Sequence, residues 1–522
     1  MKGLQTGLQG VQQRTRVEQA SFAYLEEMSY KSVDTGDPPS PRATRESGSS
    51  TFEAAINLSK LCIGSGILAL PFAVDRGGLI LTPVLIALVG WWNGVSCDLM
   101  IQSKNEMVRR AYVTPPEATS TYSMIAYCAG GWSAVYVTDF CIIVTLLGVC
   151  VTYLITFTTL LRDIPGMPLS TAQLAFLSAI VLMPACSTSN VGQLSFISFT
   201  GLVILILAVC ALAMFGLYYY GAEVSADPWG SLTMFPSSVE DFSTVLGIAT
   251  FGFGLPSLAF PVEESMKEPR EFAKASRWAL IFVWGMYAFV GDGVAVLFEH
   301  DPRGISSNVL TNLPIESQVA HIVRILMALV NLMTFPLTFM PPAMMIERIL
   351  SSSMKSGVCQ RWHLSLCKQS DSAGVSMGSG SGKIRGVALT SGGTLTQNYE
   401  SGVELASMDE EDRVEVPIWV SYGVRMTLLC LCEYLATSIP CFGLIISLLG
   451  CFTVTILSYV IPPYVSLEMI TAPARASGNG DPHVFWEYCR DFLLVSFGTV
   501  LCVVSSFIVG SQALAAFREG AC

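Results

Sequence analysis

The sequence is poor in charge. Only 13% of its 522 residues are Asp, Glu, Lys or Arg, whereas about a quarter are charged in a typical soluble protein. The formal net charge of -11 is spread along the chain, and no basic cluster is present, which excludes nucleic acid as a partner. Because 52% of the residues are hydrophobic, the sequence predicts an all-α membrane protein with many spans, surrounded by the lipid bilayer.

The sequence also lacks the residue patterns of enzymes and channels. Its four histidines are not paired at the spacing of metal ligands, and no nucleophile elbow is present. The run Gly252-Phe253-Gly254 has no third glycine and no strand-turn-helix setting, so it does not indicate a dinucleotide site. No filter-like repeat or acidic ring motif indicates a channel. We therefore expect no catalytic residue, no metal and no cofactor.

Two segments lack the apolar character of the rest of the chain. Residues 1–51 are polar and contain no apolar core after a basic start, so they predict a disordered cytosolic tail rather than a cleavable signal peptide. Residues 351–415 are rich in Ser and Gly and contain the acidic run Asp409–Asp412, which predicts a flexible cytosolic loop. Either segment is long enough to bind a cytosolic partner.

Long apolar runs are abundant. Eleven of them are long enough to cross about 30 Å of hydrocarbon. Eight lie within residues 52–350, and three lie within residues 416–522, which also carry a short C-terminal tail. The predicted spans are 52–74, 78–101, 133–160, 170–186, 193–219, 241–262, 277–298, 319–348, 416–438, 441–467 and 486–513.

The basic residues between the spans predict the orientation. With the N-terminus in the cytosol, most Lys and Arg residues lie on the cytosolic side, as the positive-inside rule requires. An odd number of spans then places the C-terminus on the extracellular or lumenal side. No readable retention motif chooses between the plasma membrane and an acidic internal organelle.

Glycine interrupts two of the spans at matching places. Gly64-Ser65-Gly66 lies in span one, and Gly252-Phe253-Gly254 lies in span six. A bilayer tolerates non-helical backbone only where protein or a water-filled cavity satisfies the freed backbone groups. The pair of breaks therefore predicts two inverted five-helix repeats plus one extra helix, with discontinuous helices one and six, although flexible packing glycines are an alternative.

Five short motifs follow one another along the predicted spans. They are Asn57–Lys60 with Gly64–Gly66 and Leu70-Pro71, Gly148–Cys150 with Tyr153, Phe251–Phe253 through Pro261 and Glu264 to Phe272, Thr334–Leu337 through Glu347-Arg348, and Ile439-Pro440 through Leu448–Gly450 with Pro462. In this order they resemble the motifs of the amino acid/auxin permease family. The resemblance covers residues 52–513 except the polar loop, and it implies secondary active transport of amino acids by alternating access around a site between spans one and six.

The two breaks offer opposite partial charges to an amino acid. Backbone N–H groups at the start of the second half of span one suit an α-carboxylate, and carbonyl groups in span six suit an α-ammonium. The substrate side chain would then point between spans three, six and eight, although a tyrosine such as Tyr153 is more often a packing residue. The candidate contacts are Gly64, Ser65 and Gly66 for the carboxylate, Thr250, Phe251 and Gly252 for the ammonium, and Tyr153, Phe253 and Asn331 for the side chain.

Three charged residues inside the spans are candidates for ion coupling. Lys60 precedes Gly64 by one helical turn, where relatives of the proton-coupled type resemble this chain in carrying Lys and sodium-coupled branches often carry Asn. Asp139 and Asp292 are candidate proton carriers, because intramembrane acids are functional candidates by default. The alternatives are snorkelling of Lys60 to the membrane edge, a position near a membrane edge for either acid, and helix packing with a solvated acid for Asp292. The sequence favours proton-coupled or ion-independent transport over sodium coupling.

Two alternatives stay open at the level of sequence. A sodium-coupled symporter has the same spans and breaks, and an amino-acid sensor of the same fold would bind substrate but signal through one of its polar segments. Glu263–Pro269, which follows span six, is expected either to pair with the inner end of span one as a gate or to form an ordinary solvated loop.

Overall fold

A computed structural model describes residues 49–110, 112, 120–187, 195–227, 232–256, 259–370, 418–439, 441–476 and 482–519. The predicted N-terminal tail, apart from residues 49–51, lies outside these ranges, as does the part of the predicted loop from residue 371 to residue 415. The chain forms two compact units. The first unit combines Met1–Met345 with Arg425–Cys522 and holds both broken helices, and the second unit is Ile346–Val424.

The described residues are helical apart from turns and one isolated bridge between Ser49 and Met266. A short 3₁₀ turn, Ser65–Ala69, separates α1 from α2, and π-helical stretches at Gly450–Val454, Ile456–Val460 and Leu467–Thr471 link α12, α13 and α14. The α-helices are α1 Thr51–Cys62, α2 Leu70–Gly77, α3 Leu81–Arg109, α4 Thr121–Arg162, α5 Thr171–Ser187, α6 Ser195–Ala226, α7 Val239–Gly252, α8 Ala259–Glu264, α9 Phe272–Phe298, α10 Gln318–Ser370, α11 Ile418–Ser438, α12 Phe442–Leu449, α13 Ile461–Ser466, α14 Ala472–Ala476 and α15 Pro482–Glu519.

The length and composition of these helices confirm an all-α membrane protein. Within the described ranges, seven helices are long and apolar enough to cross a membrane, or eight when α1 and α2 are counted as one bent span. Each of the eleven predicted spans coincides with a helix, but α5, the α7–α8 pair and α11 are shorter, interrupted or less apolar. The count of eleven spans therefore stays a prediction.

Two helices extend further than the apolar pattern indicated. Helix α10 continues to Ser370, into the segment predicted as a loop, and residues 351–370 contain no proline that would stop it. Helix α4 begins at Thr121, well before the predicted start of span three, and it is kinked at Gly131, whose φ is 63°. Glycine adopts this left-handed conformation without the steric cost that other residues incur.

The first broken helix consists of α1 and α2. Ser50 and Glu53 form a capping box at the start of α1, which satisfies two of its free N–H groups. The helix ends because Ile63 and Gly64 leave helical geometry, with ψ values of 79° and -158°. The chain resumes through the 3₁₀ turn, and α1 and the segment Gly66–Gly77 are bent by 54°.

The second broken helix consists of α7 and α8. Ser238 caps the start of α7 by accepting a hydrogen bond from the N–H of Asp241 at 3.0 Å. The helix ends at Gly252, where Phe253 turns to φ -114° and ψ 25°, and α8 begins at Ala259. Pro256 lies in the interruption and cannot supply the N–H of a continuing helix. The prediction of two discontinuous helices is confirmed.

Candidate functional site

The side chain of Tyr287 joins the two breaks. It projects from α9 and is 1% exposed. Its hydroxyl oxygen lies 2.6 Å from the carbonyl oxygen of Cys62 and 2.9 Å from that of Gly252. A hydroxyl has one proton to donate, so it can bond only one of the two carbonyls fully at a time. The ends of α1 and α7 therefore share one hydrogen-bond donor.

The two broken helices are in direct contact at this point. A Cβ atom added to Gly66 would lie 3.1 Å from the ring of Phe251, and one added to Gly252 would lie 2.8 Å from the ring of Tyr287. The rings of Phe253 and Tyr287 meet edge to face with centroids 5.3 Å apart. Four of the residues that the sequence assigned to one site, Gly66, Phe251, Gly252 and Phe253, thus lie together around Tyr287.

Gly64 differs from the other glycines of the site. A Cβ atom built there would meet no atom within 4 Å among the described residues. Its φ of -112° and ψ of -158° are open to any residue. Neither backbone conformation nor packing against a neighbour requires glycine at this position. The break in the first helix therefore borders open space.

The predicted carboxylate end has an irregular hydrogen-bond pattern. The N–H of Gly64 donates to the carbonyl of Cys62 at 2.9 Å, and the N–H of Ile67 donates to the carbonyl of Gly64 at 3.3 Å. These bonds span two and three residues instead of the four of an α-helix. The side chain of Ser65 lies outside the described part of the structure, so its predicted role stays a prediction.

The predicted ammonium end already carries intramolecular bonds. The carbonyl of Thr250 accepts from the N–H of Phe253 at 3.1 Å, and that of Gly252 faces the Tyr287 hydroxyl. A carbonyl oxygen has two lone pairs, so each can accept a second hydrogen bond. The side chain of Thr250 is fully buried. It packs beside Tyr459 of the π-helical stretch that follows α12.

The predicted side-chain walls lie on α4 and α10. Tyr153 faces Thr334 and Thr338 of α10. Asn331, one turn before Thr334, is 3% exposed, and its Nδ2 atom has no hydrogen-bond partner among the described residues. A buried amide without a partner costs free energy unless another polar group or water satisfies it. Asn331 is therefore the better candidate of the two for contacting a polar ligand.

The three predicted ion-coupling residues lie on three different helices. Lys60 is half-buried in the last turn of α1, where a cation stabilises the negative end of the helix dipole. Asp139 is 5% exposed and accepts a hydrogen bond from Ser123 across the kink of α4. Asp292 has one buried oxygen without a hydrogen-bond partner in the described structure. Of these two acids, Asp292 is the one with a buried carboxylate oxygen that no described residue bonds.

The segment after α8 pairs with the start of the first broken helix. The N–H of Ser49 donates to the carbonyl of Ser265 at 2.8 Å, and the N–H of Lys267 donates to the carbonyl of Ser49 at 2.9 Å. Thr51 also donates to the carboxylate of Glu271. The predicted pairing is observed on the predicted cytosolic side.

A buried ion pair anchors the end of the second broken helix. The ammonium of Lys104, on α3, lies 2.7 Å from Glu263 and 2.8 Å from Glu264. The side chains of Lys104 and Glu263 are 7% and 10% exposed. Sequence reasoning missed this contact, because Lys104 lies just beyond an apolar run and reads as an exposed cytosolic charge. The acidic pair Glu263-Glu264 is the signal that could have found it.

On the opposite side, the loop between α9 and α10 is held by Asp301. Its carboxylate accepts hydrogen bonds from Arg303 at 2.8 Å and from Asn312 at 2.9 Å. Burial by itself raises the pKa of Asp301, but these hydrogen bonds outweigh burial and hold the pKa below its ordinary value. The loop's 3₁₀ turn, Val309–Asn312, packs against the 3₁₀ turn Ser65–Ala69. The first break is therefore covered from this side.

The chain is similar in sequence to several known proteins. A sequence profile described as "Transmembrane amino acid transporter protein" matches residues 47–509. The chain is 26% identical over 319 residues to "Vacuolar amino acid transporter 3" of Saccharomyces cerevisiae, an alignment that covers 59% of this chain and 43% of the yeast protein. It is 25% identical to "Amino acid transporter AVT1H" of Arabidopsis thaliana over 59% of this chain and 68% of that relative. The chain thus spans less than half the length of the yeast relative.

Two solved structures align with most of this chain, each with a TM-score below 0.5. A manganese transporter of Eremococcus coleocola is 9% identical, with a TM-score of 0.48 over 93% of this chain and 90% of that one. A Na⁺-coupled sialic acid symporter is 9% identical, with a TM-score of 0.46 over 95% of this chain and 97% of that one.

Proposed function

The chain belongs to the transmembrane amino acid transporter family, and we propose that it carries amino acids across a membrane by alternating access around the two breaks. The family resemblance expected from the motifs is confirmed, and so is the prediction that the chain is not an enzyme, because the family is one of transporters. The substrate, the coupling ion and the mechanism are proposals that rest on the geometry of the breaks.

The observation that carries the proposal is a hydrogen-bond donor shared by the two broken helices beside an open space. The Tyr287 hydroxyl lies within hydrogen-bond distance of the last carbonyls of both α1 and α7, and Gly64 borders open space beside the first of these ends. The start of the following helical segment has a positive dipole end, which favours an α-carboxylate. The carbonyls of Thr250 and Gly252 retain lone pairs for an α-ammonium. Backbone groups alone would recognise the common part of every amino acid.

Selectivity among amino acids would come from the side chains around the breaks. Phe251 and Phe253 supply apolar surface, whereas Asn331 supplies an unpartnered amide. A polar substrate group that bonds this amide would remove the free-energy cost of burying it. We therefore propose that Asn331 favours substrates with a polar or small side chain over purely aliphatic ones.

Alternating access requires that one side opens while the other stays closed. In this structure Lys104, Glu263 and Glu264 lie together on the predicted cytosolic side, and Ser49 pairs with Ser265 nearby. We propose that the Ser49 contacts separate when substrate leaves to the cytosol, because a few hydrogen bonds at the surface are weak. The buried ion pair, in contrast, keeps the end of α8 fixed to α3.

Coupling to protons, or transport without an ion, remains our proposal for the driving force. Lys60, Asp139 and Asp292 stay candidates for the coupling charge, and sodium coupling is the alternative. Because the yeast relative is named as a vacuolar transporter, we propose an acidic internal organelle as the location. The N-terminus would face the cytosol and the C-terminus the lumen.

The test is transport by the purified full chain in proteoliposomes. Each of the twenty amino acids is offered as a competitor, with and without a pH gradient, and with sodium replaced by choline. We expect uptake of at least one amino acid in choline, and faster uptake with a proton gradient if protons drive it. Absence of competition by every amino acid would overturn the proposed substrate class. Binding without flux would instead favour a sensor, and strict sodium dependence without a pH response would overturn the proposed driving force.

A further inference from the structure

Glu433 is a buried acid that the sequence patterns did not select. It lies on α11 and is 9% exposed. One of its carboxylate oxygens lies 2.8 Å from the hydroxyl of Ser178 on α5. The other oxygen, Oε2, is buried and has no hydrogen-bond partner in the described part of the chain. The side chain thus has a single hydrogen-bond partner among the described residues.

The single proton of the Ser178 hydroxyl bears on whether the carboxyl group of Glu433 is protonated. The hydroxyl of Ser178 also lies 2.8 Å from the carbonyl of Ala175, which can only accept. A hydroxyl has one proton. If that proton bonds Ala175, a bond between Ser178 and Glu433 requires the carboxyl to donate, and hence to be protonated. If the proton bonds Glu433 instead, a buried carboxylate is left with one hydrogen bond, which is a costly state.

No described cation pairs with Glu433, since the described residues contain no salt bridge to it. The thiol of its neighbour Cys432 is the ionisable group that interacts with it, and Cys186 on α5 lies near that thiol. The guanidinium of Arg425 donates to the carbonyl of Cys186 at 3.1 Å. It is eight residues from Glu433 on the same helix, about 12 Å along the axis. A proton is therefore the available means of neutralising this acid.

The depth of Glu433 and Ser178 in the membrane would let protons reach them from one side. Glu433 precedes the end of α11 by five residues, and Ser178 follows the start of α5 by seven. At 1.5 Å per residue these positions lie about 8 and 10 Å from the helix ends. Both ends lie on the predicted extracellular or lumenal side. The pair is thus inside the apolar layer but near the face that an acidic lumen would supply with protons.

From this geometry we propose that Glu433, held by Ser178, is a proton-binding site that is loaded from the lumenal side and released during transport. This inference rests on the proposed transport of amino acids. It adds a fourth intramembrane charge to Lys60, Asp139 and Asp292. Its hydrogen-bond partner among the described residues is a neutral hydroxyl, so no described cation fixes its charge.

The test measures uptake of a transported amino acid in proteoliposomes, with and without a pH gradient, together with exchange at equal pH on both sides. In Glu433→Gln the amide mimics the protonated acid, so exchange stays near the wild-type rate while the gradient-driven part of uptake is lost. Retention of the wild-type gradient response would overturn the inference. Loss of the response in Asp292→Asn, with its retention in Glu433→Gln, would assign the role to Asp292.

Ser178→Ala gives a second readout that does not remove the acid. It takes away the only hydrogen-bond donor to ionised Glu433, so half-maximal uptake moves to higher pH by about one unit. An unchanged pH profile with normal uptake would contradict the proposed pair. If the wild-type chain transports no amino acid at all, the proposed function fails, whereas these variants bear only on the proton site.

Discussion

The two breaks of this molecule are alike in sequence and differ in packing. At the first break a Cβ on Gly64 would meet no described atom within 4 Å. At the second, a Cβ on Gly252 would lie 2.8 Å from the ring of Tyr287, and one turn earlier a Cβ on Gly247 would lie 2.7 Å from the Cα of Ser447. The first break borders space, whereas the second is closely packed.

This difference separates two tasks that a transport site has to perform. A ligand needs room beside the groups that bind it, and the first break supplies room. The site also needs a wall of fixed geometry, because misplaced donors and acceptors lose binding energy. The second broken helix supplies that wall, since glycines hold α7 against α12 and a buried ion pair fixes the end of α8.

The anchors of the two helices differ in the same way. Lys104 and Glu263 are both at least nine-tenths buried at the end of the second broken helix. The first broken helix is held on the same side by the hydrogen bonds of Ser49 and Thr51, which involve exposed or partly buried groups. Substitutions at the second helix should therefore cost stability, and substitutions at the first should change transport.

The largest expected effect is that of Lys104→Met. The substitution keeps much of the side-chain volume but leaves Glu263 buried without its cation, which costs about 3 to 5 kcal/mol of the free energy of unfolding. The loss should shrink at acid pH, where Glu263 takes up a proton. Thermal unfolding in detergent at two pH values measures it.

The control for this change is Lys274→Met. Lys274 pairs with Glu271 at 3.6 Å, but the two side chains are 53% and 38% exposed. Such a pair contributes less than about 1 kcal/mol. Equal losses in the two variants would show that the second helix is not specially anchored.

Gly450→Ala should have the next largest effect. A Cβ at this position would overlap the carbonyl of Gly247 and lie 3.0 Å from the N–H nitrogen of Phe251. Backbone atoms cannot rotate away, so the helices must separate at a cost of about 1 to 3 kcal/mol. Gly510→Ala on α15, where a Cβ meets no described atom within 4 Å, is the matched control for unfolding temperature. A stable Gly450→Ala protein would contradict close packing at the second break.

Tyr287→Phe tests the link between the breaks. The ring stays, but the carbonyls of Cys62 and Gly252 lose their shared donor, which costs about 1 kcal/mol of stability. Uptake should fall further than stability does, because the two ends are no longer held together. Tyr122→Phe is the control, since Tyr122 is also 1% exposed and donates to a carbonyl, that of Leu457. Equal uptake by the two variants would leave Tyr287 without a special role.

The sequence predicts where the two helices break, but it does not predict how closely each break is packed. Glycine in an apolar run signals a broken helix, so Gly64 and Gly252 were predicted from residue type alone. A glycine in the sequence does not show whether its surroundings are open or packed, because the packing depends on the neighbouring helix. Tyr287 and Lys104 were missed since neither has a local pattern, and each gains meaning only from a partner far along the chain. Glu433 lies in the predicted span 416–438, where the criterion that selected Asp139 and Asp292 would also have selected it.

Gly64→Ala should have the smallest effect on stability, and it tests directly whether the space at the first break is where the substrate lies. The backbone angles at Gly64 suit alanine and the methyl group meets no described atom within 4 Å, so stability should change by less than about 0.5 kcal/mol. The methyl group would occupy space that the substrate carboxylate needs, and KM should rise by about tenfold or more, which corresponds to about 1.4 kcal/mol of lost binding.

The control is Gly285→Ala on α9, where the same methyl group also enters open space but lies on the exposed surface. It should leave both the unfolding temperature and uptake unchanged. If Gly64→Ala transports as well as Gly285→Ala does, the space at the first break is not where the substrate lies. If Gly64→Ala instead unfolds as readily as Gly450→Ala, the first break is closely packed. The two breaks would then not differ in packing.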